Sequence, residues 1–143
     1  MISCTQFIPA YSELFTFLED QGGYEAVLTY WRHVSDTYVE PRLGESIKAN
    51  GISGCYDYWA QALNEEAANF TMTLNEDKET FEIKMHHCPS KGRLMQYSQI
   101  TPYPKYCLHC DTLYRRVAEK YDLQYEFDCS NCDKAQCCIR ISK

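Results

Sequence analysis

Apolar residues recur at helical spacing through the first seventy positions of the chain and at alternate positions after them. In "AYSELFTFLEDQ", Leu14, Phe17 and Leu18 share a face behind Ser12, a residue type that caps helices. In "GGYEAVLTYWRHVSDTYV" the stripe is Val27, Tyr30, Trp31 and Val34, and Pro41 reads as the stop. "RLGESIKANG" is a shorter helix ended by Gly51. "SGCYDYWAQALNEEAANF" sets Cys55, Tyr58, Trp59, Ala62 and Leu63 on one stripe.

Near residue 70 the period falls from 3.6 to 2. "FTMTL" alternates Phe70, Met72 and Leu74, "FEIKM" alternates Phe81, Ile83 and Met85, and "NEDKE" between them makes a hairpin turn. "HHCPSKGRL" reads as a loop because Pro89 and Gly92 break regular structure, and the two prolines of "ITPYPKY" make it irregular. A helix follows with Cys107, Cys110, Tyr114, Val117 and Tyr121 on its apolar face. His109 and Asp111 point elsewhere, and Asp111 can pair with Arg115 one turn on. Two short strands, "LQYEF" and "CCIRI", are joined by the turn "DCSNCDKA". The expectation is an α+β fold in a single domain, residues 1–143. N-terminal helices (1–69) precede a cysteine-rich hairpin-helix-hairpin unit (70–143) that forms an antiparallel sheet of about four strands.

A length of 143 residues is enough for a core without staples, and no apolar run approaches the roughly 18 residues of a membrane span. The start "MISCTQFIPAYSELF" lacks a basic segment followed by a long apolar one, so a cytoplasmic location is expected and a membrane partner is not. The net charge of -6 conceals an asymmetry. Residues 1–83 carry 4 Lys/Arg against 14 Asp/Glu, which is -10, and residues 84–143 carry 10 against 6, which is +4. An acidic chain is a poor general ligand for nucleic acid, whereas the basic half suits a small anionic substrate. A homo-oligomer stays open.

That basic half also holds seven of the nine cysteines, an odd total that a reducing compartment would keep as thiols. Cys107-x2-Cys110 and Cys129-x2-Cys132, eighteen residues apart, have the spacing of a four-thiolate zinc site. Against zinc, the first pair opens a helix without a glycine knuckle. The second lies in a turn that Asp128, Ser130, Asn131 and Asp133 can form without metal. Packing of Cys107 and Cys110 as small apolar residues is a further reading. Thiol chemistry is another: Cys107 and Cys110 stand in the first turn of a helix near Lys105, His109 and Arg115. Cys88 follows His86 and His87 and precedes Lys91 and Arg93. Cys137 shares a strand face with Ile139 and Ile141 and belongs to the core, while Cys138 shares the other face with Arg140 and is the better site residue. Cys4 and Cys55 are assigned to packing or surface. The twelve tyrosines, in runs such as "YWRH", "YDYW" and "PYPKYC", suit either a core or an aromatic pocket.

The segments "CPSKGRL", "YCLHCDTLYRRVAEKYDLQYEFD" and "CIRI", within residues 84–142, resemble the bacterial L-2-amino-thiazoline-4-carboxylic acid hydrolase-like family. They are distantly similar to the vinyl-reductase type of small-molecule-binding domain. The resemblance implies a cytosolic hydrolase that opens a cyclic amidine on a small amino-acid-like substrate; the expectation adopted is a hydrolase without a cofactor, acting on a C–N bond of a cyclic amidine or amide that bears a carboxylate. The resemblance implicates Cys88, Cys107, His109 and Cys110, and more weakly Cys138; Cys129 and Cys132 have no place in that pattern. In the leading reading Cys107 or Cys88 attacks the sp² carbon, His109 or His87 moves protons, and Arg93 or Arg115 holds the carboxylate. The alternatives are a binding module stabilised by zinc on Cys107, Cys110, Cys129 and Cys132, and a small-molecule sensor domain without catalysis.

Overall fold

The computed structural model describes residues 4–64 and 68–143, without the side chains of residues 4 and 5, so the role expected of Cys4 lies outside it. Helix α1 (Cys4–Val34) is broken at Gly22 and Gly23 into two arms. Gly23 takes φ 68°, a left-handed conformation that residues with a Cβ rarely adopt. Ser12 does not cap this helix, because the helix already begins at Cys4. Its buried hydroxyl instead accepts the Tyr103 N–H at 2.9 Å. Nor does Pro41 stop the chain: it sits inside a π-helical stretch, Ser35–Gly44. The wider π turn accommodates a ring that crowds, and lacks a hydrogen bond in, an α-helix. Helix α2 (Glu45–Asn50) ends at Gly51 as expected, and α3 (Ile52–Asn64) follows at once.

Strands β1 (Asn69–Asn75) and β2 (Thr80–His87) form the hairpin read from the alternation. Helix α4 (Pro89–Leu94) replaces the loop expected there. Pro89 occupies the opening of the helix, where its missing N–H costs nothing, and the Cys88 sulfur accepts the Lys91 N–H at 3.3 Å. Helix α5 (Leu108–Lys120) leads to β3 (Gln124–Asp128), a short 3-10 turn (Cys132–Lys134) and β4 (Cys137–Ser142). The molecule is therefore α+β, with a four-stranded antiparallel sheet in the order β1-β2-β4-β3.

Register decides which residues reach the core. Phe81 pairs with Ile141 and Ile141 with Tyr125; Ile83 pairs with Ile139 and Ile139 with Phe127. These rows pack on Trp59 of α3 and on Leu113 and Val117 of α5, together with Val39 and Leu43. Cys55 is fully buried in the same core. A second cluster, Phe15, Val27, Trp31, Leu94, Tyr103 and Tyr106, joins the two arms of α1 to the segment that precedes α5.

The α2–α3 junction tolerates no side chain at Gly54, where an added Cβ would lie 2.1 Å from the Ser46 carbonyl oxygen. Backbone cannot give way as a flexible side chain can. Gly54→Ala is expected to destabilise the fold by about 1–3 kcal/mol, read as a lowered urea midpoint. A midpoint equal to that of the parent protein would disprove the close approach.

Candidate functional site

Four separate segments converge at the N-terminal end of α5. They are the residue before α4, the first turn of α5, the 3-10 turn and the start of β4. The Cys88 N–H donates to the Ala135 carbonyl at 2.8 Å and ties the first of these segments to the third. Between them lies a small apolar cavity of about 30 Å³. Cys88, Cys107, Cys110, Cys132 and Cys137 line it, and Tyr106 and Phe127 contribute aromatic wall.

Cys107, Cys129 and Cys132 form a tighter group, with all three sulfurs within 4.8 Å of one another. Cys129 and Cys132 are joined by a disulfide here, where free thiols were expected. The turn explains how they meet. Asp128 accepts the Ser130 N–H at 2.9 Å, Cys132 donates to the Cys129 carbonyl at 3.2 Å, and the two Cα atoms come to 5.1 Å. That separation is within bonding reach for a cysteine pair. Three of the four cysteines with zinc spacing thus assemble, and Cys110 is not one of them.

Cys110 faces His109 instead, its sulfur 3.4 Å from Nε2. His109 was expected to point away from the apolar side of α5, yet it is only 9% exposed. The first arm of α1 covers that side, and Tyr11, Phe15, Trp31 and Tyr106 surround the imidazole. Nδ1 meets the Tyr106 carbonyl, which can only accept, so Nδ1 carries the proton and Nε2 presents its lone pair to Cys110. Burial holds the imidazole neutral and lowers its pKa to about 4.

The same burial opposes thiolate formation. It pushes Cys107 up to about 11, although Lys91 pulls it down slightly, and Cys137 up to about 12. Cys110 rises well above its ordinary value, through burial first and then through the neighbouring sulfurs. A pKa of about 11 leaves roughly one thiolate in ten thousand at pH 7. The activation expected from the start of a helix is overridden by loss of water.

Other expected site residues lie elsewhere. His87 is exposed, its ring against Gly92, and His86 contacts the Thr71 hydroxyl at 2.8 Å. Arg93 belongs to α4 and is not in the cavity wall. Arg115 is held by Asp111, at 2.7 Å from Nη2, and by the Tyr125 carbonyl, at 2.6 Å from Nη1. It is a brace between α5 and β3 rather than a free anion binder. Cys138 stands between Lys84 and Asp128 on the outer face of the sheet, beside a shallow polar depression, and is not part of the cavity wall. Cys137 faces the cavity instead of sinking into the core. Sequence reasoning missed Ser90, whose hydroxyl meets that of Tyr106, from the aromatic run "PYPKYC", at 2.6 Å in the cavity wall.

The His109 environment has a consequence for acid stability. Its folded pKa, about 4, lies below the ordinary 6.5, so its contribution is complete above pH 6.5 and is lost as pH falls toward 4. The loss should reach about 3 kcal/mol. His109→Gln should flatten the dependence of unfolding free energy on pH in that window by close to one proton; an unchanged slope would place the buried titration elsewhere. No family model, no curated protein and no solved structure matches this chain.

Proposed function

We propose that Cys107, Cys129 and Cys132 form a soft-metal centre and that the chain is a thiolate metal-binding module, with zinc as the ion that suits the donors. The observation that carries this reading is the approach of the Cys107 sulfur, from the start of α5, to within 4.8 Å of the Cys129 and Cys132 sulfurs of a distant turn. Tetrahedral zinc with bonds of about 2.3 Å places its sulfurs about 3.8 Å apart, so small side-chain adjustments suffice. The Cys107 thiol, which burial keeps protonated, gives up its proton to a bound divalent cation far more readily than to water. The adjoining cavity, about 30 Å³, has room for roughly one water or one ion, and Cys88, Cys110 or Cys137 is available from it as a fourth donor. Loading requires Cys129 and Cys132 as thiols, so a reductant such as a dithiol must first supply two electrons and two protons to their bond.

A thiol-dependent hydrolase acting on a C–N bond is the second reading. The Cys110–His109 pair favours it, since Nε2 is placed to take the thiol proton. Two features weigh against it. The cavity is too small for a carboxylate-bearing cyclic amidine, and neither Arg93 nor Arg115 reaches it.

Reduced protein is expected to bind one zinc ion per chain by metal analysis after dialysis, and to melt higher with zinc than with a chelator. Cys107→Ser and Cys132→Ser should each weaken zinc binding at least tenfold, while Cys138→Ser should leave it unchanged. Failure of the fully reduced protein to retain zinc would end the metal reading. Turnover of a cyclic amidine that Cys110→Ser abolishes without loss of zinc would favour the hydrolase.

A further inference from the structure

His109 also borders a second, larger concavity, open to the surface on its other side. This groove has a volume of about 410 Å³, within the range of sites for small molecules. Six aromatic rings surround it: Phe7, Tyr11 and Tyr30 from α1, Tyr38 from the π-helical stretch, Tyr58 from α3 and Tyr114 from α5. Packing does not account for all of them. Phe7 is 56% exposed and Tyr38 59% exposed, so two large rings stand in water beside the same cleft, a surface of the kind that takes a ligand.

A cation identifies the sign of that occupant. Arg42, one helical turn beyond Tyr38, places its guanidinium 5.5 Å from the centre of the Tyr38 ring and 5.6 Å from that of Tyr58. Its Nη1 donates to the Tyr38 hydroxyl at 2.9 Å. No carboxylate pairs with Arg42 among the described residues, although the half of the chain it belongs to carries fourteen acidic residues against four basic ones. A positive charge already over two of the groove's rings repels a cationic guest and leaves guanidinium donors available to an anion.

We propose that the groove is a binding site for a small planar aromatic carboxylate, its ring among the tyrosines and its carboxylate on Arg42. The site stands independently of the metal reading. Its guest would lie against Leu113 and against the imidazole whose far edge meets Cys110.

The test is calorimetric titration of the full chain with three probes of one shape: 2-naphthoate, the neutral 2-naphthalenemethanol and the cationic 2-naphthylmethylamine. Naphthoate should bind with a Kd below about 1 mM, the alcohol at least tenfold more weakly, and the amine not measurably. Arg42→Gln, at an exposed position, should reduce the naphthoate affinity to that of the alcohol while the thermal melt stays unchanged. Tyr38→Ala should weaken both, which separates ring contact from charge. Absence of naphthoate binding, equal affinity for all three probes, or full affinity in Arg42→Gln would overturn the proposal. So would a concentration-dependent dimer that Phe7→Ala dissolves, since a second copy would then own the groove.

Discussion

The cysteine-rich end of the molecule depends on a single act of desolvation: the first arm of α1 lies over the opening turn of α5 and removes His109 from water. The ring is then neutral, its Nδ1 proton is committed to the Tyr106 carbonyl, and one lone pair is aimed at Cys110. Burial likewise makes ionised sulfur expensive at Cys107, Cys110 and Cys137. An uncharged imidazole and the protonated Cys107, Cys110 and Cys137 beside it carry no net charge in the resting state. Loss of the aromatic contacts from Tyr11 and Phe15 would return His109 toward solvent and its pKa toward the ordinary value.

Much of this was legible in the residues. The alternation of Phe81, Ile83 and Met85 and of Cys137, Ile139 and Ile141 fixed two strands whose register then placed Cys137 and Cys138 on opposite faces. The spacing of Cys107, Cys110, Cys129 and Cys132 suggests a four-sulfur group, and the fold brings three of them together without Cys110. What stayed hidden arises between elements. The helical period of α5 assigns Cys107, Cys110 and Tyr114 to one apolar side, but α5 is covered on two sides. The second, through His109 and Leu113, can be read only once α1 is seen against it. The helix at Pro89–Leu94 was mistaken for a loop because proline and glycine were weighed as breakers. At the first position of a helix proline is a starter, and Gly92 is buried under the His87 ring. The π-helical stretch has no signature in sequence, and Pro41 argued directly against it.

That stretch links the two concavities to the same frame. It buries Ser35, Val39 and Leu43 on the core side while Tyr38 lines the groove with the Arg42 guanidinium over its ring. Ser35 anchors it to α5 through a 2.7 Å hydrogen bond to the Leu113 carbonyl, and Arg116 bridges to Asp36 at 2.8 Å. The helix that carries His109 and Cys110 therefore also sets the position of the groove's cationic edge. In the acidic first half, Arg42 has no carboxylate partner among the described residues and lies over the Tyr38 and Tyr58 rings.

The bond between Cys129 and Cys132 closes a ring of minimal length, with a sequence separation of three. So short a ring takes little freedom from the unfolded chain, about 2 kcal/mol at most on a loop-entropy count. It is thus a poor fastener for the fold, and cutting it leaves the hydrophobic architecture to stand on its own. A link that matters so little to folding is free to open and close in service of something else.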